Sequence, residues 1–179
     1  MVDARLKQGL VQVYTGEGKG KTTAALGLAL RAVGRKFRVC MIQFVKGCDP
    51  CGEHLAAKML APYLTIVQTG HKGWLGRGKP SPEAVARARE AFQSAKKAVT
   101  GAEYDLVILD EINAAVFYNL VSVEELLQLI KEKGDCVELV LTGRNAAPEI
   151  VEAADLVTEM REIKHYYKAG VKARIGIEK

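Results

Sequence analysis

The sequence predicts an α/β protein: a mostly parallel sheet covered by helices on both faces. Two observations carry this. Short, continuously apolar runs recur from end to end, and strands that are apolar throughout are buried on both faces. Helical patterns stand between those runs, as parallel crossovers require. At 179 residues the chain matches one domain, residues 1–179, long enough to bury a core without disulfides or metals.

In chain order, Leu10 to Tyr14 reads as the first strand. Thr22 to Val33 is a helix rich in Ala and Leu, stopped by Gly34. Phe37 to Phe44 is a second strand and Leu64 to Gln68 a third. Ser81 is placed to N-cap the next helix, with Pro82 as its first residue, running to about Val99. Leu106 to Leu109 is a fully apolar strand. Ser122-Val123-Glu124-Glu125 has the form of a capping box, and Lys133-Gly134 closes its helix. Cys136 to Leu141 and Leu156 to Met160 complete the strands. Lys46 to Gly52 and Gly70 to Pro80 are rich in Gly and Pro and read as functional loops.

Apolar residues make up 49% of the chain and charged residues 26%, an ordinary balance for a water-soluble globule. No apolar run approaches the ~20 residues of a membrane span, and the first residues lack a signal peptide's apolar stretch. The expectation is a cytoplasmic protein with no membrane partner. A net charge of +5 suits a polyanion such as a nucleotide, or is a solvated surface. No interleaving of aromatic and basic residues suits single-stranded nucleic acid, so none is expected as a partner. Cys40 and Cys136 sit in apolar runs and read as buried thiols. Cys48-Asp49-Pro50-Cys51 with His54 nearby could hold a metal or form a redox pair, although a structural zinc normally needs four ligands.

The strongest chemical signal is Thr15-Gly16-Glu17-Gly18-Lys19-Gly20-Lys21-Thr22, between a strand and a helix. It matches the phosphate-loop pattern G-x-x-x-x-G-K-[ST] except for Thr15 at the first position. The glycines let the backbone turn its N–H groups inward, and the following helix adds partial positive charge. Lys21 supplies a charge for phosphate, and Thr22 a hydroxyl for Mg²⁺. Asp110-Glu111, at the end of an apolar strand, supplies carboxylates for the same ion. On these grounds alone the chain is a small Mg-ATP-dependent enzyme or switch, and a kinase or ATPase remains open.

Beyond the loop, the chain resembles the P-loop ATP:corrinoid adenosyltransferases over nearly its whole length. The resemblance rests on Val13 to Thr23, which makes Thr15 part of the family pattern, and on Arg31-Ala32-Val33-Gly34, Gln43 to Gly47 and Gly52-Glu53. It continues through Leu109-Asp110-Glu111, Thr142-Gly143-Arg144, Ala154 to Glu159, Lys164-His165 and Ala169 to Ile177. It implies a RecA-like P-loop fold and transfer of the 5′-deoxyadenosyl group of ATP to the Co(I) of a corrinoid, with triphosphate released. It further implies Mg²⁺, or Mn²⁺ in its place, a homodimer, and a flavoprotein as electron donor. Lys21, Thr22 and Glu111 would serve catalysis, and Thr22, Asp110 and Glu111 the metal. Thr15, Gly16, Glu17, Gly18, Lys19, Gly20, Lys21, Thr22, Thr23, Arg31 and Arg144 would hold the nucleotide. The family seats ATP in reverse, exposing the ribose to cobalt.

One stretch departs from the family pattern. Many members carry T-G-F-T-W, whose aromatics empty the lower axial position of cobalt; here Thr69-Gly70-His71-Lys72-Gly73-Trp74 lacks the Phe and displaces the Trp by one. Trp74 is expected to face the corrinoid, the alternative being that it packs on the core. His71 as a cobalt ligand would fill a position the reaction wants empty.

Overall fold

The computed structural model describes residues 6–45, 51–69 and 80–178. Most of both loops singled out above, with Cys48, His71 and Trp74, lies outside the described residues.

Six parallel strands form one sheet: β1 (Val11–Thr15), β2 (Val39–Gln43), β3 (Leu64–Gln68), β4 (Leu106–Asp110), β5 (Glu138–Thr142) and β6 (Leu156–Glu159), in the spatial order β3-β2-β4-β5-β1-β6. The predicted mostly parallel sheet is parallel throughout. The helices between them are α1 (Lys21–Gly34), α2 (Gly52–Met59), α3 (Pro82–Thr100), α4 (Ile112–Phe117), α5 (Val123–Lys131) and α6 (Pro148–Glu152).

Side chains alternate across the sheet and build a core on each face. Val11, Val13, Cys40, Ile42, Val107, Leu109, Leu139 and Leu141 pack with Ala88, Ala91 and Phe92 of α3 and Leu126 and Leu129 of α5. Val39, Met41, Leu106, Ile108 and Val140 face the other way, onto Ala25 and Ala29 of α1 and Ala57 of α2. Alanine on α1 and α3 lets these helices lie close to the strands.

The predicted caps are present. The Ser81 Oγ accepts from the Ala84 N–H, with Pro82 opening α3. In α5 the Ser122 Oγ accepts from the Glu125 N–H at 3.1 Å, and the Glu125 carboxylate accepts from the Ser122 N–H at 2.9 Å. Cys40 is buried, and burial pushes its thiol up to about 11. Cys136 is a correction: it is exposed, because it occupies the turn before β5, where side chains are not yet clamped between two layers.

Because all strands run the same way, their carboxyl ends share one edge. Each ends on a polar residue: Thr15, Gln43, Gln68, Asp110, Thr142 and Glu159. Ligands of open parallel sheets bind at this edge.

Candidate active site

The phosphate loop leaves β1 at this edge and enters α1. Gly16 (φ 95°) and Gly20 (φ 122°) adopt backbone that favours glycine. The loop also leans on the segment after β6. The Gly18 N–H donates to the Met160 carbonyl at 2.7 Å, and a Cβ on Gly16 would stand 2.5 Å from that same oxygen. No side chain among the described residues caps α1, and its first turn carries no acidic residue. Its first N–H groups and the positive end of its dipole therefore face the loop.

Lys21 is almost fully buried, and its Nζ donates to the carbonyls of Gly16 at 2.6 Å and Gly18 at 2.8 Å. Burial is the largest influence on its ammonium and lowers its pKa; Glu111 opposes this, and Arg144 adds to it. Arg144 bridges to Glu17 at 3.3 Å, from the loop after β5 to the phosphate loop.

Asp110 is fully buried behind the loop. Its Oδ1 accepts from the Thr22 hydroxyl at 2.8 Å and the Thr142 hydroxyl at 2.7 Å. Gln43 Nε2 lies 3.4 Å from its Oδ2 and 3.3 Å from Glu53 Oε1. Glu111, the next residue, turns into a left-handed conformation (φ 62°) and lines the pocket. Such a φ is uncommon outside glycine and clusters at functional sites. A hydroxyl and two carboxylates form an all-oxygen donor set suited to a hard divalent cation. Gln43 Oε1 is buried beside this set with no hydrogen-bond partner among the described residues, an acceptor that a hydrated cation would satisfy.

A pocket of about 1030 Å³ opens in front of these groups. Glu17, Gly18, Lys19, Gly20, Lys21, Thr22 and Thr23 line it, with Glu111 and Arg144. Thr15 lies outside that lining: its Oγ1 accepts from the Ala146 N–H at 3.3 Å and its carbonyl from the Met160 N–H, tying β1 to its neighbours. Arg31 is not brought to the pocket. It is exposed in the last turn of α1, ten residues from Lys21, or about 15 Å along a helix. Sequence reasoning missed Tyr118, Asn145, Tyr167 and Lys168, which also line the pocket. Gln43 and Thr142 enter the sequence pattern only as parts of longer matched runs; their signal is a polar residue closing an apolar strand.

The model of the ATP:corrinoid adenosyltransferase BtuR/CobO/CobP family matches residues 7–178. This chain belongs to that family. Two relatives cover 99% of it and are themselves covered over 91% of their length. They are the corrinoid adenosyltransferase of Escherichia coli K12, 40% identical, and the corrinoid adenosyltransferase CobA of Salmonella typhimurium LT2, 36% identical. The flagellar accessory protein FlaH of Methanocaldococcus jannaschii superposes with a TM-score of 0.56 over 86% of this chain and 72% of FlaH, at 14% identity, a likeness of fold alone. For an adenosyltransferase the arrangement is apt. The loop that would hold a triphosphate, the acids that would hold its counter-ion and the open pocket share one sheet edge.

Proposed function

We propose that this adenosyltransferase moves the 5′-deoxyadenosyl group of ATP to the Co(I) of a corrinoid, in cobalamin biosynthesis or salvage. The observation that carries the reading is a family match across residues 7–178 that includes a phosphate loop with its carboxylates. Co(I) of the substrate donates an electron pair to C5′ of the ribose. The cobalt–carbon bond forms as the C5′–O bond breaks, and that bond's electrons leave with the triphosphate. The protein needs no nucleophile of its own; it must align the two substrates and stabilise the departing charge.

In this reading the loop N–H groups and α1 cradle the triphosphate. Lys21, now bonded to its own loop, turns its ammonium toward the phosphates, whose charge reverses the effect of burial on it. Thr22, Asp110 and Glu111 would hold Mg²⁺, or Mn²⁺, with Asp110 also fixing the Thr22 hydroxyl. A cation held there supplies further positive charge to the leaving group. Arg144 closes on the nucleotide from the side of Glu17. Trp74, outside the described residues, is assigned to the corrinoid. Making Co(I) from Co(II) takes one electron, so the reading includes an electron-donating flavoprotein. A homodimer comes with the family reading, while cytoplasmic placement and a single domain spanning residues 1–179 rest on composition and length. No helix among the described residues is long and apolar enough to cross a membrane.

The test is incubation of the chain with Mg-ATP and chemically reduced corrinoid. The light-sensitive absorbance of a cobalt–carbon bond should grow with time. Its absence with folded, ATP-binding protein, together with formation of ADP, would favour a kinase or ATPase.

A further inference from the structure

We propose that Thr142 is a positioning residue that sets both acidic groups of the metal site at once. This rests on the metal site of the proposed function and deepens it. Thr142 ends β5, and β5 lies between the strand that feeds the phosphate loop and the strand that ends on Asp110. Its side chain is fully buried.

A hydroxyl carries one hydrogen and two lone pairs, so it can donate and accept together. The Thr142 Oγ1 donates to Asp110 Oδ1 at 2.7 Å and accepts from the Glu111 backbone N–H at 3.0 Å. One atom therefore fixes the carboxylate of Asp110 and holds the backbone of Glu111 where φ is 62°. Glu111 is the acid that reaches the pocket, and its left-handed turn sets the direction of its side chain. Asp110 in turn takes the hydrogen of Thr22, which leaves that hydroxyl's lone pairs for the cation. From the other flank Gln43, paired in register with Asp110, approaches Asp110 Oδ2. Asp110 is thus braced from both neighbouring strands as it orients Thr22, while Glu111 reaches the pocket.

Valine has nearly the shape of threonine and neither hydrogen-bonding function. Thr142→Val removes both the donor to Asp110 and the acceptor for the Glu111 N–H; Thr142→Ser keeps both bonds. The experiment is calorimetric titration of ATP into the full-length chain, once with Mg²⁺ and once with EDTA, for wild type and both variants, with circular dichroism to confirm folding. The expected result is a ~10–100-fold loss of affinity for ATP in the presence of Mg²⁺ for Thr142→Val, the range for lost outer-shell partners of metal ligands. Affinity without metal should be unchanged, and Thr142→Ser should behave like wild type. Should Thr142→Val fail to fold, Thr142→Ala deletes the same hydroxyl without adding volume and carries the test. Equal loss with and without Mg²⁺, no loss at all, or a serine variant as weak as valine overturns the proposal. A wild-type affinity indifferent to Mg²⁺ overturns the metal site and this proposal together; adenosyl transfer, followed separately by absorbance, then stands or falls by itself.

Discussion

Lys21 is held by its own loop, with its ammonium on the carbonyls of Gly16 and Gly18. A ligand that recruits it must replace two hydrogen bonds, and only a strongly anionic group does so readily. Lys21→Ala is expected to lower turnover by about 10²–10³-fold, the cost of one preorganised charge contact to a leaving group. Its circular dichroism spectrum should match wild type; near-normal turnover would remove Lys21 from the reaction. A second prediction concerns the thiols. Cys136 is exposed and Cys40 buried, with the Cys40 thiol pushed up to about 11. The thiolate is the reactive form, so a maleimide at pH 8 should label Cys136 in native protein and Cys40 only after unfolding, as peptide mass mapping would record. At this scale Lys21 and Thr22 were legible because the loop motif fixes their order and spacing, and Asp110 and Glu111 because they close a fully apolar strand. Thr142 was not legible as a hub, since a threonine that closes a strand resembles any strand terminator until the neighbouring strand is known. Arg31, expected at the nucleotide, stands in the last turn of α1, and its place in a matched run says nothing of the ten residues separating it from Lys21.

Among the elements, α5 gives the cleanest test of local physics away from the site. Ser122→Ala removes half of its capping box and should cost about 1 kcal/mol of stability, leaving turnover intact below the melting transition. Glu125, the other half, has its pKa lowered, first by the Ser122 N–H and then by Arg89. A carboxylate with a depressed folded pKa stabilises above its unfolded value, near 4.5, and loses that contribution as pH falls through the folded value. Wild type should therefore be more stable than Glu125→Gln at pH 7, and the gap should close as denaturation is measured at progressively lower pH below 4.5. A constant gap would mean that packing, not charge, accounts for the difference. The caps at Ser81 and Ser122 were readable because their side chains act on the neighbouring backbone. Helices α2, α4 and α6 were not: at 8, 6 and 5 residues they are too short for an apolar period to emerge.

For the whole molecule, the parallel arrangement turns six separate strand ends into one polar edge. The sequence shows apolar strands ending at Leu109, Leu141 and Met160, with Asp110 closing the first of these, but not the order β3-β2-β4-β5-β1-β6 that puts Thr142 between the phosphate loop and Asp110. That order is set by long-range packing on both faces, which no local pattern encodes. The outcome is a pocket lined by the phosphate loop, Glu111 and Arg144, a layout that would serve phosphoryl transfer and alkyl transfer equally well. The two chemistries part at the bond that breaks. Adenosyl transfer cleaves C5′–O and leaves all three phosphates joined; phosphoryl transfer cleaves P–O and makes ADP. The most direct measurement is phosphorus NMR of the products after the chain has consumed Mg-ATP with chemically reduced corrinoid, set against the yield of cobalt–carbon product from its absorbance. The account predicts intact triphosphate in one-to-one proportion with adenosylated corrinoid; ADP and inorganic phosphate, with no cobalt–carbon bond formed, would contradict it.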